Sequence, residues 1–248
     1  MSFIRSKLTY TRMIVLSFFC LILVGALLLT LPISSKSREW TPFLDALFTA
    51  TTAGCVTGLI VVDTYTHWSI FGQVIMLALI QIGGLGVMTC IAMFSLFLKR
   101  RIPLAERRLL MQSAGSLRIS GVVRLLHRII IGTAIVEGCG ALLLATVFCP
   151  RMGFFTGLWN AVFHSISAFC NAGIDLMGKY GQFSSLSTEG LAFNPIVNFT
   201  IMFLIITGGI GFVVWSDFVK HRFDFKKYEV HSKMAIVTTI VLLVSGTV

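Results

Sequence analysis

Two short turns of small residues, each ending in glycine, are the positions where this sequence most clearly offers binding chemistry. The first ends at Gly58 and the second at Gly173, and the shift of 115 positions that superimposes them also places Cys55 on Cys170. The side chains at both turns are uncharged, so a dehydrated cation there would meet backbone carbonyl oxygens. Glycine allows the backbone dihedral angles that such a turn requires. The predicted ion-binding residues, which would hold K+ through their carbonyls, are Cys55, Val56, Thr57, Gly58, Cys170, Asn171, Ala172 and Gly173.

The segments before the two turns predict short helices. Pore helix 41–53 precedes filter turn 1, residues 54–58, and pore helix 154–169 precedes filter turn 2, residues 170–173. Neither is long enough to cross a bilayer, which takes roughly 20 apolar residues. A helix that enters the membrane, breaks and returns is a re-entrant pore loop, and its non-helical backbone needs surrounding protein or a water-filled path. The helix C-termini also direct partial negative charge at the turns, which favours cations over anions.

The composition is typical of a membrane protein. Of the 248 residues, 56% are hydrophobic and only 12% are charged, and the mean hydropathy is +0.91. A soluble domain carries about a quarter charged residues. We therefore expect an all-α polytopic membrane protein.

Lysine and arginine are distributed asymmetrically along the chain. Sixteen of the 20 lie in residues 1–12, 99–128 and 220–233, which would share one side of the membrane. By the positive-inside rule that side is the cytoplasm, so the N-terminus is expected inside and both pore loops enter from outside. The net charge of +10 then requires no nucleic-acid partner. Segment 99–128 is either a basic amphipathic helix at the cytoplasmic surface or a solvated loop that fixes the topology.

The pore loop belongs to a longer repeat, in which a first span (M1), a pore loop and a second span (M2) occur twice in the same orientation. Gly25-Ala-Leu-Leu-Leu29 recurs as Gly140-Ala-Leu-Leu-Leu144, and Gly83-Gly84-Leu85-Gly86 recurs as Gly208-Gly209-Ile210-Gly211. The predicted segments are repeat 1 at 1–98 (M1 13–31, M2 69–98), a cytoplasmic basic linker at 99–128, repeat 2 at 129–219 (M1 129–148, M2 190–218) and a second cytoplasmic linker at 220–233.

A third copy begins near the end of the chain, where residues 234–248 align with the first M1. A repeat unit buries its apolar face on its neighbours and rarely ends in the middle of a helix. We therefore expect the chain to be truncated at the start of the third repeat and to belong to a longer protein.

Three motifs in this order resemble the Trk/Ktr/HKT superfamily of potassium transporters, and within it most closely the bacterial KtrB subunits. They are residues 48–59 (FTATTAGCVTGL), residues 81–86 (QIGGLG) and residues 163–173 (FHSISAFCNAG). The resemblance covers the whole chain. It implies potassium uptake across the bacterial plasma membrane through a channel-like pore of four repeats, with one filter glycine per repeat, here Gly58 and Gly173.

The resemblance also implies partners and a coupling ion. It implies a homodimer with one pore per protomer, regulated by a KtrA-like cytoplasmic ring of nucleotide-binding RCK subunits. Related proteins often couple potassium uptake to sodium, and no covalent cofactor is implied. Two of four repeats cannot close the pore of this family, so the chain alone is expected to be inactive. Ile174 stands where many relatives have an aromatic residue. This difference concerns the packing of the filter and not its chemistry.

Other functions remain open from the sequence. A less selective path for sodium or ammonium fits the two turns, and a truncated chain could act as a non-conducting scaffold that binds the RCK ring through its basic loops. An intramembrane enzyme would need a catalytic cluster, whereas only Glu137 and His164 stand isolated in the apolar segments. The six cysteines form no CxxC pair and no metal-ligand spacing with histidine. We therefore expect a cation transporter and not an enzyme, with His164 packed in its pore helix.

Five further polar side chains each have two interpretations. Glu137 in the third span is either a functional carboxylate or a partner in helix packing. Asp45 and Asn160 are interpreted as equivalent residues at the start of the pore helices, acting as caps or dipole partners rather than as an ion-attracting ring. Asp63 and Asp175 lie just outside the filter turns, where they either concentrate cations or are ordinary solvated loop residues.

Overall fold

The computed structural model of the chain describes residues 10–86, 122–181, 184–186, 191–221 and 224–247. These ranges fold almost entirely into helices, with one isolated antiparallel bridge between Ser35 and Trp68 and no β-strand among them. The end of the predicted first M2 and most of the predicted linker 99–128 lie outside the described residues. The all-α architecture expected from the sequence is confirmed.

The described helices begin and end at residues that suit those positions. Ser69 accepts a hydrogen bond from the Gly72 N–H and caps one helix, and Asn194 caps another that starts with Pro195. The helices are α1 (Tyr10–Thr30), α2 (Phe43–Cys55), α3 (Thr64–His67), α4 (Ile70–Leu85), α5 (Val122–Met152), α6 (Phe154–Phe169), α7 (Pro195–Gly209), α8 (Phe212–His221) and α9 (Val230–Thr247). Short 3-10 turns occupy Pro32–Ser34, Met177–Tyr180 and Phe225–Lys227.

The sequence repeat coincides with a repeat of helix packing. Helix α1 packs against α2 and α4, and α5 packs in the same way against α6 and α7. A Cβ added to Gly25 of α1 would lie 2.7 Å from Leu79 Cδ1 of α4, and one added to Gly140 of α5 would lie 2.8 Å from Leu204 Cδ1 of α7. Small residues allow such close approach of helices in a membrane protein. The M1-type and M2-type helices therefore meet at equivalent points in both repeats.

The glycines of the M2-type helices rest on the ends of the pore helices. The Gly83 backbone lies against the carbonyl oxygen of Gly54, and the Gly208 backbone lies against the carbonyl oxygen of Phe169. A Cβ at either position would overlap that oxygen. The two glycine motifs thus bring the M2 backbone onto the C-terminal end of the pore helix in each repeat, beside the filter turn.

Several helices have the apolar character of a membrane protein. By length and composition, one helix in the described ranges, Arg128–Met152, could cross a membrane alone. Pro195–Gly209 and Phe212–Lys220 pass the same test only together, and they are bent by 94° at the break between them. The apolar stretches of α1, α4 and α9 are shorter. The surface of α1 carries large apolar side chains, with Val15 63% and Phe19 61% exposed, which suits contact with lipid.

The predicted M2 of repeat 2, residues 190–218, is not one continuous helix. Helix α7 ends at Gly209, and Gly211 has φ of +94°, which takes the chain off the α-helical path. Helix α8 then starts at Phe212. The indole N–H of Trp215 donates to the carbonyl oxygen of Thr207 at 3.0 Å. A side chain therefore supplies the hydrogen-bond donor for a backbone carbonyl near the end of α7. The double-glycine sequence therefore marks a bend as well as close packing.

Other boundaries differ from the prediction by smaller amounts. The first pore helix is α2, two residues later than predicted, because Pro42 has extended ψ and serves as its N-cap residue. The second pore helix, α6, has the predicted limits. Helix α5 starts within the predicted linker and continues beyond the predicted end of M1 at residue 148. Helix α9 starts four residues before the predicted third repeat.

Candidate ion-binding site

Helix α2 continues to Cys55, so Gly54 and Cys55, the first two residues of filter turn 1, lie in the last turn of the helix and not in the break itself. Val56 adopts a left-handed conformation with φ 58° and ψ 42°, and Gly58 has φ of +77°. The Thr57 N–H donates to the carbonyl oxygen of Thr52 at 3.0 Å. Because the chain leaves the helix here, the carbonyls of α2 after Thr52 have no intrahelical partners ahead of them. Binding of a cation by the carbonyls of this turn remains a prediction.

Filter turn 2 repeats this geometry 115 residues further on. Asn171 has φ of 60° and Gly173 has φ of +70°, in the positions of Val56 and Gly58. The Ala172 N–H donates to the carbonyl oxygen of Ser167 at 2.8 Å, as Thr57 does to Thr52. The two turns therefore share one backbone conformation although their side chains differ.

A hydroxyl group in each pore helix holds the residue that follows the filter glycine. In repeat 1, Thr52 Oγ1 accepts from the Leu59 N–H at 2.9 Å. In repeat 2, Ser167 Oγ donates to the Ile174 carbonyl at 2.6 Å, and Ile174 is buried in the core. Thr52 and Ser167 are 115 positions apart, as the two filter glycines are, but neither of them was assigned a role from the sequence. The signal that could have revealed this role was a hydroxyl at the same position of both copies.

The two filter turns contact each other. The Gly58 backbone lies against the carbonyl oxygen of Ala172, which a Cβ at Gly58 would overlap. The same Cβ would lie 3.7 Å from the Cα of Gly173. Only a residue without a side chain fits between the two turns. The fold therefore brings two turns that are predicted from distant parts of the sequence into direct contact.

A cavity of about 180 Å³ lies beside filter turn 2. Its polar lining includes Asn171, Gly173 and Asp175, and its apolar lining includes Ile201 and Ile205 of α7. Polar residues that follow the second pore helix and aliphatic residues of α7 therefore line one cavity next to the turn.

Glu137 is bound to a partner from another helix. Gln81 Nε2 of α4 donates to both carboxyl oxygens of Glu137, at 3.0 and 3.2 Å. The Glu137 backbone carbonyl accepts from Ser165 Oγ of α6 at 2.6 Å. Gln81 Oε1 in turn accepts from Cys170 Sγ of filter turn 2 at 3.8 Å. These contacts agree with the interpretation of Glu137 as a partner in helix packing. Through Gln81 they continue to Cys170 of filter turn 2.

His164 acts as an internal brace. Its Nδ1 contacts the Asn160 carbonyl oxygen at 2.7 Å, and its Nε2 accepts from the Leu176 N–H at 3.4 Å. A donor at Nδ1 and an acceptor at Nε2 describe a neutral imidazole of one tautomer. The ring is fully engaged in holding the chain after filter turn 2 against its own pore helix.

The interpretation of Asn160 as a residue at the start of a pore helix is wrong. Helix α6 begins at Phe154, so Asn160 lies in its second turn, where Nδ2 donates to the Thr156 carbonyl at 2.9 Å. Asp45 does lie in the first turn of α2, whose N-cap residue is Pro42. Its carboxylate is positioned to act on the helix dipole. Burial lowers the pKa of His67, and the charge of Asp45 opposes this effect.

The outer ends of the two repeats meet at their acidic residues. Asp63 caps α3 by accepting from the Thr66 N–H at 2.7 Å, and its carboxylate lies against the Gly178 backbone. Asp175 accepts from the Met177 N–H at 3.1 Å. Burial raises the pKa of Asp175, the hydrogen bond from Met177 opposes this, and the charge of Asp63 raises the pKa further. Burial also lowers the pKa of Lys36, an effect that the Asp63 charge opposes.

Comparison with known proteins identifies the family of the chain. The TrkH family, described as cation transport proteins, matches residues 5–243. The chain belongs to this family of membrane cation transporters, which is not a family of enzymes.

Three relatives identify the type within the family. The chain is 41% identical over 243 residues to the potassium/sodium uptake protein NtpJ of Enterococcus hirae, covering 98% of this chain and 52% of that protein. It is 40% identical over 237 residues to the Ktr system potassium uptake protein B of Bacillus subtilis, covering 95% and 51%. It is also 40% identical over 238 residues to the protein of the same name from Vibrio alginolyticus, covering 96% and 50%. The chain is a KtrB-type member, and it spans about half the length of these curated relatives.

Proposed function

We propose that this chain supplies two of the carbonyl-lined turns of a potassium-uptake pore. The observation that carries the proposal is the contact between the Gly58 backbone and the Ala172 carbonyl oxygen. Two turns of one conformation that touch each other can present their carbonyls to a single ion path. We assign the ion ligands to the carbonyls of filter turns 1 and 2, residues 54–58 and 170–173.

The chemistry of the turns supports a monovalent cation. Carbonyl oxygens replace the water shell of a weakly hydrated ion without holding it as strongly as carboxylates do. The C-termini of α2 and α6 add partial negative charge at the same point. The names of the relatives support potassium as the transported ion, and the name of NtpJ supports a part for sodium, as a coupling ion or as a second permeant ion.

The proposal includes an orientation and partners. A multi-pass arrangement in the bacterial plasma membrane, with the N-terminus in the cytoplasm, is supported by the concentration of Lys and Arg in three segments of the chain. We further propose that a KtrA-like ring of nucleotide-binding RCK subunits binds at the basic cytoplasmic side and that the complete protein is a homodimer. Two relatives are named as proteins of a Ktr system, which supports a search for that partner.

Growth of a potassium-uptake-deficient bacterial strain tests the proposal. The chain is expressed alone and joined to the downstream half of the Bacillus subtilis relative, each together with an RCK partner. We expect the joined form to restore growth at limiting potassium and to take up rubidium. Gly58→Ser and Gly173→Ser should abolish both effects, because a side chain at these left-handed positions costs roughly 1–2 kcal/mol of backbone strain, and at Gly58 it would also overlap the Ala172 carbonyl.

Gly138→Ser is the matched control, because Gly138 lies within helix α5, is not among the glycines with positive φ, and a Cβ added to it would meet nothing within 4 Å. It should leave growth and rubidium uptake unchanged. Full activity of the Gly58→Ser and Gly173→Ser proteins would contradict the assignment of the ion site. Uptake of sodium with no uptake of potassium would contradict the choice of ion, and binding of the RCK ring without flux would favour a scaffold.

A further inference from the structure

A polar network connects filter turn 2 with two membrane helices. Gln81 lies in α4 of repeat 1 and Glu137 lies in α5 of repeat 2, and the Gln81 amide joins the Glu137 carboxyl group to the Cys170 thiol. Gly84, one turn after Gln81, lies beside the same thiol, since a Cβ there would be 2.5 Å from Cys170 Sγ. Residues three apart on a helix share one face. One face of α4 therefore supports Cys170 with both a hydrogen-bond acceptor and a close backbone contact.

The internal repeat shows that this network is not a requirement of the fold. The position of Glu137 corresponds to Ile22 in repeat 1, and the position of Gln81 corresponds to Ile206 in repeat 2. Ile22 packs beside filter turn 1, with its Cγ1 3.5 Å from a Cβ added to Gly54. An aliphatic side chain thus fills the equivalent space in the first repeat. A carboxyl group within a membrane segment is costly to bury, so its presence in one of these two repeats and not in the other indicates a specific task.

The hydrogen-bond donors and acceptors show how Glu137 orients the side-chain amide of Gln81. Both carboxyl oxygens of Glu137 accept from Gln81 Nε2, so the Gln81 amide presents its NH2 group to Glu137 and its carbonyl oxygen to Cys170. The thiol of Cys170 then acts as the donor. The bond from Ser165 Oγ to the Glu137 carbonyl fixes α5 against α6 at the same level. The carboxyl group therefore sets the orientation of an amide that holds the first residue of filter turn 2.

We propose that Glu137 is a positioning residue for ion selectivity. Through Gln81 it holds Cys170, and with it the carbonyls of residues 170–173, at the spacing that distinguishes potassium from sodium. This inference rests on the proposed function and assigns to a residue outside the pore lining a part in its selectivity.

The first test measures the permeability ratio of potassium to sodium from reversal potentials of the joined protein in lipid bilayers. Glu137→Ile and Gln81→Ile each copy the residue of the other repeat, and we expect each to lower the ratio about fivefold, the effect of one hydrogen bond. The double variant should be no worse than either single one, because both break the same link. Glu137→Gln keeps an acceptor for Gln81 and should retain the ratio. Thr146→Ala on the exposed side of α5 is the control and should also retain it.

The second test does not depend on ion flux. In a protein whose other five cysteines are alanine, the rate of Cys170 alkylation by N-ethylmaleimide is measured in membranes. We expect Glu137→Ile and Gln81→Ile to raise this rate about fivefold, because each weakens or removes the hydrogen bond from the thiol to the Gln81 carbonyl oxygen. Glu137→Gln should not raise it. Since Gln81→Ile breaks the link from the opposite side, the test holds even if Glu137→Ile does not accumulate in the membrane.

The two tests separate the inference from the proposed function. An unchanged permeability ratio and an unchanged alkylation rate in both isoleucine variants would overturn the inference. A Glu137→Gln protein that behaves like Glu137→Ile would also overturn it, since the effect of Glu137 would then depend on its charge and not on its hydrogen bond to Gln81. If the unsubstituted protein carries no cation while the alkylation rates change as expected, the proposed function fails and the role of Glu137 in positioning the turn stands.

Discussion

Hydroxyl groups in the pore helices give the filter turns their shape at the scale of single residues. Thr52 accepts from the Leu59 N–H and contacts the Thr57 hydroxyl at 2.7 Å, whereas Ser167 donates to the Ile174 carbonyl. The hydrogen bonds run in opposite directions but join the same positions. Each turn is therefore closed by a side chain as well as by its backbone.

Removal of the Ser167 hydroxyl should weaken filter turn 2. Ser167→Ala leaves the buried Ile174 carbonyl without this donor, and we expect a loss of about 1–3 kcal/mol in stability. Thermal unfolding of the purified protein in detergent measures the change. Thr51→Ala removes an exposed hydroxyl that bonds only to the Leu47 carbonyl of its own helix, and it should have little effect. Equal unfolding temperatures for Ser167→Ala and Thr51→Ala would contradict the role of the serine.

Protonation of Asp175 should reduce cation uptake as the external pH falls. Burial raises its pKa above the ordinary value of about 3.9, so its negative charge is lost at a higher pH than for an exposed aspartate as the external pH falls. Since Asp175 lines the cavity beside filter turn 2, uptake should fall with that titration. Rubidium uptake as a function of external pH checks this.

Asp175→Asn should remove this pH dependence and lower uptake at neutral pH. Asp224→Asn is the control, because Asp224 pairs with Lys227 at 2.7 Å in the second basic linker, away from the filter turns in sequence. It should keep the pH profile of the unsubstituted protein. An Asp175→Asn protein with the unsubstituted pH profile would show that another group causes the titration.

Much of the site at this scale could be predicted because it depends on the backbone. Each filter glycine and its small neighbours predict a turn in the backbone. Gly58 and Gly173 both have the positive φ that is typical of such turns. The contacts of Gln81 could not be predicted, since they join three segments through side chains. Asn160 was misinterpreted because alignment with Asp45 ignored that the second pore helix starts earlier relative to its filter turn.

At the scale of elements, glycines determine how closely the M2 helices approach the pore helices. Gly83 and Gly208 occupy equivalent points, each against a carbonyl oxygen at the end of its own pore helix. In repeat 2 the glycine motif serves both close packing and a bend. Its M2 bends by 94° after Gly209, and Trp215 joins the two halves through Thr207.

Alanine at either of these glycines should push the M2 helix away from the pore helix. Gly83→Ala and Gly208→Ala each introduce a methyl group that overlaps a backbone oxygen, and overpacking of this kind costs about 1–3 kcal/mol. We expect lower unfolding temperatures and lower potassium uptake for both. Gly138→Ala meets nothing within 4 Å and should be neutral or slightly stabilising. A Gly83→Ala protein as stable and active as the Gly138→Ala protein would contradict the packing argument.

The limits of the helices were predictable to different degrees. The second pore helix was predicted to the residue because Gly153 precedes it and the small-residue turn follows it. The bent M2 was predicted as one span because hydropathy is continuous across residues 209–211. A local break of this kind depends on tertiary contacts such as that of Trp215. The periodicity of the sequence does not predict such contacts.

At the scale of the whole molecule, the two repeats form one unit because their turns touch. The outer residues Asp63 and Gly178 meet, Gly58 lies against Ala172, and Gly84 of repeat 1 lies beside Cys170 of repeat 2. The repeat itself could be predicted from the sequence. The contact between its two copies could not, because no local sequence pattern indicates which turns touch. The membership of the TrkH family agrees with the motifs that carried the resemblance.

The most direct test of the central claim is the reversal potential of the joined protein in a bilayer with potassium on one side and sodium on the other. Carbonyls from both filter turns lining one path predict a strongly potassium-selective potential in the unsubstituted protein. They also predict that Gly58→Ala and Gly173→Ala each move the potential toward zero or abolish the current. A potassium-selective potential that survives both substitutions would contradict the account.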